Sequence, residues 1–462
     1  MNATHDSLSL AEKDRRHVWH QMGGHPSEGS ILGPLVIAEG SGSWVTDTAG
    51  DRYLDGLSGQ WCVNVGYGRT RLARAAFEQL ERLAFHPLTR SHPPAIELSA
   101  RLSEKLGGDR AFVYSNSGSE ANEVAFKLAR QYHALRGEPH RFKFIARYRG
   151  YHGSTMGALA ATGQSLRRLA YEPLAPGFLH VAPPDPFRHP EITDLEQYGL
   201  QCAAELERTI EFELAETVAG VIVEPIITGG GILIPPDSYL PAVKAACERH
   251  GVLLIVDEVI CGFGRTGTLF GHEPSGVRPD IVTMAKGITS AYFPLAATAV
   301  SEDVYAAFEP DGTDGRLRHI NTFGGHPAGC AVAIENLAII EEEDLVARSA
   351  EQGARLLARL HEALGNHPLV GEIRGCGLLI GIELVADRAA RTPAARADSA
   401  ALVAAAQRHG LLIGRNADTA AGLDNVLAVA PPLPLSDADA EHIVAALEAC
   451  FCEHTTPMEA YP

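Results

Sequence analysis

Between about Arg69 and Val300 the chain alternates between segments with the period of an amphipathic helix and short apolar runs. Most of these runs are too short for helices and contain little polar alternation, which is typical of strands covered on both faces. We therefore predict an α/β fold with a largely parallel sheet, whose ligand site lies beyond the carboxyl ends of the strands. The runs that predict these strands are residues 111–115, 141–147, 218–224, 252–257, 281–284 and 295–300.

The two ends of the chain have a different pattern. Residues 1–60 predict a leading helix, followed by short strands near residues 34–38 and 42–46. After Pro327 the composition shifts to helices rich in Ala, Glu, Leu and Arg, which predicts a smaller α+β domain. We expect residues 1–60 to pack on this small domain, residues 327–462, and residues 61–326 to form the large domain. The strands predicted in the small domain are residues 370–374, 378–383, 411–414 and 426–430, and residues 389–400 predict a surface helix and its approach.

Length and charge limit the classes of function. A chain of 462 residues exceeds what one hydrophobic core normally serves, in agreement with two domains. The net charge of −18 argues against nucleic acid or an anionic membrane as a partner. No segment is apolar and long enough to cross a bilayer, and residues 1–19 lack the apolar region of a secretory signal. The eight cysteines are scattered without zinc-ligand spacing, which predicts reduced thiols, no metal site and a cytoplasmic protein.

Small polar residues follow the first apolar run. Ser117 and Glu120 have the spacing of a capping box, and a helical period begins after them. Gly118 and Ser119 therefore stand at a helix N-terminus, where free N–H groups and the helix dipole favour a phosphate group. Capping alone also explains Ser117 and Glu120, so the local sequence leaves a structural cap and a phosphate site open.

Later runs also end at residues that carry chemistry. Tyr151 and His152 stand in a glycine-flanked loop, where an aromatic ring either lies on a planar ligand or packs in the core. Glu224 follows the next run, and Asp257 follows the run after that. A carboxylate at the end of a fully apolar strand is expected to be partly buried and to need a cationic or hydrogen-bonding partner.

Lys286 is the single lysine between two apolar segments. Its ordinary interpretation is a surface lysine at a strand end. A lysine in an apolar pocket, however, has a lowered pKa, and its free amine can form a Schiff base with a carbonyl group. The local sequence also leaves two interpretations of residues 61–68. Their glycines fit either a loop that approaches a ligand or a plain turn beside a core tryptophan, Trp61.

Residues 262–267 match the Gly-x-Gly-x-x-Gly pattern of dinucleotide-binding proteins. That pattern is informative only where it joins a strand directly to an amphipathic helix. Here it begins several residues after the predicted strand, and residues 268–274 do not have a helical pattern. A nicotinamide-dependent oxidoreductase is therefore a disfavoured alternative.

In their order and spacing, these segments strongly resemble the class III aminotransferases, which are fold-type I enzymes that use pyridoxal 5′-phosphate (PLP). The resemblance covers nearly the whole chain and implies a large domain with a mostly parallel, mixed seven-stranded sheet and a smaller α+β domain. The motifs that carry it are Ser-Asn-Ser-Gly-Ser-Glu-Ala-Asn (115–122), Tyr-His-Gly (151–153), Glu-Pro (224–225), Asp-Glu-Val-Ile-Cys-Gly-Phe-Gly-Arg-Thr-Gly (257–267), Ala-Lys-Gly (285–287) and Asn-Thr-Phe-Gly-Gly-His-Pro (321–327).

The resemblance also implies roles for particular residues. Lys286 would carry the cofactor as a Schiff base and then move a proton, and Asp257 would pair with the protonated pyridine nitrogen. Thr322 would reach the phosphate group from a neighbouring subunit, which implies a homodimer with active sites at the interface, or a tetramer. The remaining implied cofactor contacts are His152 to Asp257, Tyr151 and Val259 on the two ring faces, Ser117, Gly118 and Ser119 at the phosphate, and Glu224 beside the ring hydroxyl, able to pair with Arg415.

Within the family, the chain is most similar to the ω-amino acid/amine–pyruvate branch, and to its taurine–pyruvate aminotransferases. Trp61, Tyr151 and Arg415 would contact substrates, with Arg415 binding the carboxylate of pyruvate and swinging aside for apolar amines. The implied reaction moves an amino group from an ω-amino acid or amine to pyruvate by a ping-pong mechanism. Residues 85–88 and Gln60 depart from the best-known amine transaminases, which leaves the choice of amine open. A same-fold aminomutase or decarboxylase is the nearest rival.

Overall fold

The computed structural model describes residues 9–22, 35–308 and 315–455. The predicted leading helix is present and is capped by Ser9, whose hydroxyl accepts the Glu12 backbone N–H. The two predicted strands are also present, slightly later in the chain, and residue 34 lies outside the described residues. The elements of this segment are helix α1 (Leu10–His17), strands β1 (Ile37–Ser41), β2 (Trp44–Asp47) and β3 (Arg52–Asp55), and a distorted helical turn, α2 (Ser58–Trp61).

The large part of the chain is built on a mixed seven-stranded sheet. Its helices are α3 (Thr70–Arg82), α4 (Pro93–Lys105), α5 (Gly118–Leu135), α6 (Met156–Ala161), α7 (Ser165–Arg168), α8 (Leu195–Phe212), α9 (Tyr239–His250) and α10 (Glu302–Ala306). Its strands are β4 (Arg110–Ser115), β5 (Lys143–Arg147), β6 (Phe178–Val181), β7 (Val218–Val223), β8 (Leu253–Asp257), β9 (Ile281–Met284) and β10 (Ala296–Ser301).

The strand order is β4-β10-β9-β8-β7-β5-β6, and β10 alone runs against its neighbours. The predicted α/β fold with a mostly parallel mixed sheet is therefore confirmed. Every predicted apolar run in this region forms a strand, and β6 is an additional strand that the pattern did not predict. Six strands, β4 to β9, point in one direction, so the loops that follow them meet at one edge of the sheet.

The central strands are apolar throughout because helices cover both faces of the sheet. Ile222 and Ile255 pack against α5 on one face, whereas Val221 and Leu254 pack against α8 and α9 on the other. All residues of β7 and β8 are buried, including Asp257 at the end of β8. Among the helices of the described residues, none is both long and apolar enough for a membrane span.

The C-terminal part contains a second, antiparallel sheet. Its order is β11-β12-β16-β15, with β13 paired to β12, while β14 pairs in parallel with β3 and so joins the N-terminal strands. Helix α11 contacts α3 and α4 of the large part of the chain. The predicted domain boundaries, at residues 60/61 and 326/327, stay a prediction. The elements are α11 (Pro327–Glu342), α12 (Leu345–Leu364), α13 (Arg396–Arg408), α14 (Asp437–Thr455), β11 (Val370–Gly375), β12 (Ile380–Asp387), β13 (Thr392–Pro393), β14 (Leu411–Leu412), β15 (Gly414–Arg415) and β16 (Val426–Val429).

Candidate active site

A cleft of about 540 Å³ lies at the carboxyl ends of the central strands. This volume lies within the range of small-molecule sites. All but two of the predicted site residues line the cleft. The residues that line it are Trp61, Gly118, Ser119, Tyr151, His152, Glu224, Asp257, Val259, Lys286 and Arg415. The two exceptions are Ser117, which caps α5, and Thr322, which is exposed outside the cleft.

Asp257 ends β8 with its carboxylate buried at the floor of the cleft. One carboxylate oxygen lies 2.9 Å from His152 Nδ1 and accepts a hydrogen bond of 2.8 Å from the Asn122 side-chain amide. The other oxygen accepts the Val259 backbone N–H at 3.1 Å. Asn122 itself accepts the Thr283 hydroxyl at 2.8 Å, so this set of hydrogen bonds holds the carboxylate in one orientation.

Asn122 is a contact that the sequence interpretation missed, although the residue stands inside one of the quoted motifs. Its side chain is 1% exposed, in the first turns of α5. A buried asparagine in a helix needs specific partners, because its amide otherwise loses hydrogen bonds to water. The signal in the sequence was a polar residue at a position where the helical period predicts burial.

Lys286 follows β9 and begins a short 3₁₀ turn with φ of 47°, a left-handed conformation that is unusual for a residue other than glycine. Its ammonium nitrogen lies 5.3 Å from the centroid of the Trp61 ring. Burial lowers the pKa of the Lys286 amine, although the nearby negative groups of Asp257 and Glu224 act in the opposite direction. A lowered pKa increases the fraction of free amine, which is the nucleophilic form.

The N-terminus of α5 opens into the same cleft. Ser117 caps the helix by accepting the Glu120 backbone N–H, and Gly118 and Ser119 form its first turn. A Cβ at Gly118 would lie 2.9 Å from both γ-methyl groups of Val259, so only glycine fits between the helix and that side chain. The Ser119 hydroxyl accepts the Ser154 backbone N–H at 3.1 Å. Free backbone N–H groups at this helix end are suited to a phosphate group.

Glu224 and Arg415 do not form the ion pair that the resemblance allowed. One Glu224 oxygen accepts the Tyr151 backbone N–H at 3.0 Å, and the other accepts the backbone N–H and hydroxyl of Thr228. Burial raises the pKa of Glu224. Arg415 instead donates to the Ser399 hydroxyl at 3.3 Å. The two side chains share the cleft, but each is held by a different partner.

The glycine-rich segment 262–267 is a structural turn. It continues in turns up to a 3₁₀ segment, Glu273–Ser275, instead of entering a helix. Arg265 within it is fully buried and donates to Leu378 and Pro431 carbonyls and to the Ser58 and Asn64 side chains. Burial lowers the pKa of Arg265 to about 10. These bonds connect the turn to residues 58–64 and to the C-terminal part of the chain. The turn therefore has a structural role, and no bound dinucleotide is needed to account for its glycines and arginine.

The groups in the cleft fit PLP. Asp257 is buried, with hydrogen-bond donors around it, yet among the described residues no lysine or arginine lies within 4 Å of it. A protonated ring nitrogen would supply that missing cation. The α5 N-terminus suits the phosphate group, and the amine of Lys286 suits the aldehyde.

Comparisons with known proteins agree with this geometry. The family described as aminotransferase class-III matches residues 26–451, so the chain belongs to the class III aminotransferases and is a transaminase. It is 54% identical over 452 residues to an uncharacterized aminotransferase of Bacillus subtilis, covering 98% of each chain. It is 40% identical to the taurine–pyruvate aminotransferase of Bilophila wadsworthia, covering 97% of this chain and 98% of that one.

Solved structures give the same result. The chain superimposes with a TM-score of 0.90 on an (S)-enantioselective ω-transaminase from Thermomicrobium roseum, which is 41% identical. The superposition covers 96% of this chain and 98% of that chain. The predicted family and its fold-type I architecture are therefore confirmed, and the family implies PLP as the cofactor.

Proposed function

We propose that this transaminase moves an amino group from an ω-amino acid or amine, such as β-alanine or taurine, to pyruvate. The observation that carries the proposal is one cleft that contains a lysine of lowered pKa, a buried carboxylate and an arginine. The similarity to taurine–pyruvate aminotransferases and ω-transaminases supports the choice of substrates. In the proposed cycle the amine leaves as an aldehyde or ketone, and pyruvate then becomes alanine by a ping-pong mechanism.

The proposed roles follow from the contacts in the cleft. When bound, PLP supplies an electron sink that makes a proton on the carbon next to the amine acidic. Lys286 would remove that proton as a general base and then, as a general acid, return it at the carbon on the other side of the amine nitrogen. Asp257, oriented by His152 and Asn122, keeps the ring nitrogen protonated, because the negative charge favours the cationic form.

The remaining residues bind and position. Gly118 and Ser119, behind the Ser117 cap, hold the phosphate group at the α5 N-terminus. Tyr151 and Val259 would enclose the ring and Glu224 would lie beside it, while the centroid of the Trp61 ring lies 5.3 Å from the Lys286 amine. Arg415 binds the carboxylate of pyruvate, for which its planar, permanently charged guanidinium is well suited.

The assembly and the location belong to the same proposal. Thr322 is exposed and outside the cleft of its own chain, in agreement with a role in the active site of a second subunit. We therefore propose a homodimer, or a tetramer built from it. No disulfide joins any of the eight cysteines, all of which lie in the part of the chain that the structure describes, in agreement with a reducing compartment such as the cytoplasm.

The proposal is tested with holoenzyme, pyruvate and a panel of amines, namely β-alanine, taurine, γ-aminobutyrate and 1-phenylethylamine. We expect alanine to form in proportion to the pyruvate consumed with at least one amine, and Lys286→Ala to abolish this turnover. Lys105→Ala, at a partly exposed ion pair with Glu341 outside the cleft, is the matched control and should retain full activity. Near wild-type turnover by Lys286→Ala would exclude the mechanism, and product without alanine would indicate an aminomutase or decarboxylase.

Arg415→Ala tests the carboxylate role. It should raise KM for pyruvate by roughly tenfold or more, because a charge-assisted hydrogen bond contributes about 1.5–3 kcal/mol. KM for 1-phenylethylamine should change little, since that amine has no carboxylate. Equal changes in both constants would remove this role from Arg415.

A further inference from the structure

A second arginine, Arg167, lines the cleft together with Arg415. It belongs to the short helix α7 and is half-buried. Its Nη2 donates to the carbonyl of Ala417, two residues after Arg415, at 3.3 Å. The Arg167 guanidinium is therefore held against the same C-terminal segment that carries Arg415. No role given above uses Arg167.

The partners of Arg167 are weak for a cation. Its guanidinium carbon lies 5.3 Å from the centroid of the Tyr151 ring, and Nη1 donates to the sulfur of Met22 at 3.2 Å. Its Nε is buried and has no hydrogen-bond partner. Across residues 9–22, 35–308 and 315–455, no aspartate or glutamate oxygen lies within 4 Å of this side chain.

Three other arginines of this region lie outside the cleft, and each is paired with a carboxylate. Arg149 is buried and contacts the carboxylate of Asp185, and Arg188 contacts that of Glu383. Arg168, next to Arg167 in the chain, lies 3.9 Å from Glu172 and outside the cleft. Arg167 differs because its charge faces a cleft whose own carboxylates, Glu224 and Asp257, are already hydrogen-bonded to other groups.

A guanidinium in this position is best stabilised by an anion that enters with the ligand. The planar group binds a carboxylate or a sulfonate through two parallel N–H donors, and the bonds are strong where water is partly excluded. Tyr151 supports the cation from its ring face, and the buried Nε–H has no partner that an incoming oxygen would have to displace.

We propose that Arg167 binds the acidic group at the far end of the amine substrate, while Arg415 binds the carboxylate of the keto acid. This inference rests on the proposed function and narrows it to amines that carry a distal carboxylate or sulfonate. With Arg167 for the amine substrate and Arg415 for the keto acid, a single cleft would bind two different acids. Neither guanidinium group would have to move out of the cleft between the two half-reactions.

The test compares Arg167→Gln and Arg167→Lys holoenzymes with wild type, with Arg168→Gln as the matched control outside the cleft. For Arg167→Gln we expect KM for β-alanine and taurine to rise roughly tenfold to hundredfold, the loss of a charge-assisted pair. KM for 1-phenylethylamine and for pyruvate should stay within about twofold. Arg167→Lys should recover part of the loss, because it keeps the charge but not the planar pair of donors.

Comparing β-alanine with taurine shows whether Arg167 binds a carboxylate, a sulfonate or both. A rise for both acids supports the shared site, and a rise for one alone supports the proposal and assigns that group. An equal rise for 1-phenylethylamine, or a rise for pyruvate alone, would overturn it.

A binding measurement separates this inference from the reaction itself. Propionate and ethanesulfonate, which have the acid groups but no amine, are titrated into holoenzyme by calorimetry. Weaker binding of either acid to Arg167→Gln, with unchanged binding to Arg168→Gln, supports the site even if no amine in the panel yields alanine. Unchanged binding of both acids to Arg167→Gln overturns the inference and leaves the proposed transamination intact.

Discussion

Glu383 is the residue whose replacement gives the sharpest stability prediction. It lies in β12 with no exposed surface, and its carboxylate contacts Arg188 and, at 2.7 Å, Nη1 of Arg374. Arg374 in turn donates to the carbonyl of Ile232 at 2.7 Å, in the turn whose Gly229 lines the cleft. Glu383→Gln keeps the shape of the side chain but leaves these guanidinium groups without their shared carboxylate.

The expected cost follows from burial. Removing one partner of a buried ion pair costs about 3–5 kcal/mol, and because Arg374 keeps a second carboxylate, that of Glu372 at 2.5 Å, we expect a cost at the low end, about 3 kcal/mol. Burial alone raises the pKa of Glu383, but Arg374 and Arg188 outweigh it, and the net pKa lies below the ordinary value. The stabilisation is therefore complete above the unfolded pKa of about 4.3 and is lost as the pH falls through the lower folded pKa. The difference in the free energy of unfolding between wild type and Glu383→Gln should therefore become smaller in acid.

The assay is urea unfolding of both proteins at equal concentration, followed by tryptophan fluorescence at neutral pH and again in acid. With a slope of about 3 kcal/mol/M, the midpoint of Glu383→Gln should lie about 1 M lower at neutral pH. Glu97→Gln, in an exposed pair with Arg101, is the control and should cost no more than about 0.5 kcal/mol. Equal midpoints for the two variants would refute the argument from burial.

Two further predictions concern cofactor binding. Gly118→Ala should weaken PLP binding roughly fivefold to hundredfold, because its Cβ would lie 2.9 Å from the Val259 methyl groups and overpacking costs about 1–3 kcal/mol. Adding Val259→Ala should restore part of the affinity in an absorbance titration, and equal affinities for Gly118→Ala and wild type would contradict the steric reason. The rate at which the cofactor-free protein combines with PLP should rise with pH, as the Lys286 amine loses its proton. Because burial lowers the pKa of that amine, the midpoint should lie below the ordinary lysine value of about 10.4, and a midpoint at or above it would contradict the structural reason.

The strand pattern of the large sheet was predictable because each central strand is buried on both faces. Residues 218–223 and 253–256 are apolar for that reason. Strand β6 (Phe178–Val181) was missed because it is short and only its last residue is fully buried. The residue after each strand was also predictable as a candidate, because parallel strands end at a common edge.

The contacts among the candidates depended on three-dimensional packing. Asn122 reaches Asp257 across 135 residues of sequence, and Arg167 faces the cleft because of how α7 and the segment after Arg415 pack. The pairing of Glu224 with Arg415 that the resemblance allowed does not form in this structure, since Tyr151, Thr228 and Ser399 provide nearer partners. Competition among hydrogen-bond partners is decided by distances of a few tenths of an ångström, which spacing along a chain does not contain.

By itself, the amino-acid sequence determined the fold class, the family and most of the candidate residues that line the cleft. Apolar runs and motif order carry that information because burial and chain connectivity act locally. Only the tertiary structure decided which oxygen of Asp257 meets which donor, that Arg265 is held inside the protein, and that Arg167 faces the cleft without a carboxylate. Electrostatic environment depends on distance in space and on exclusion of water, and both arise only when distant segments pack together.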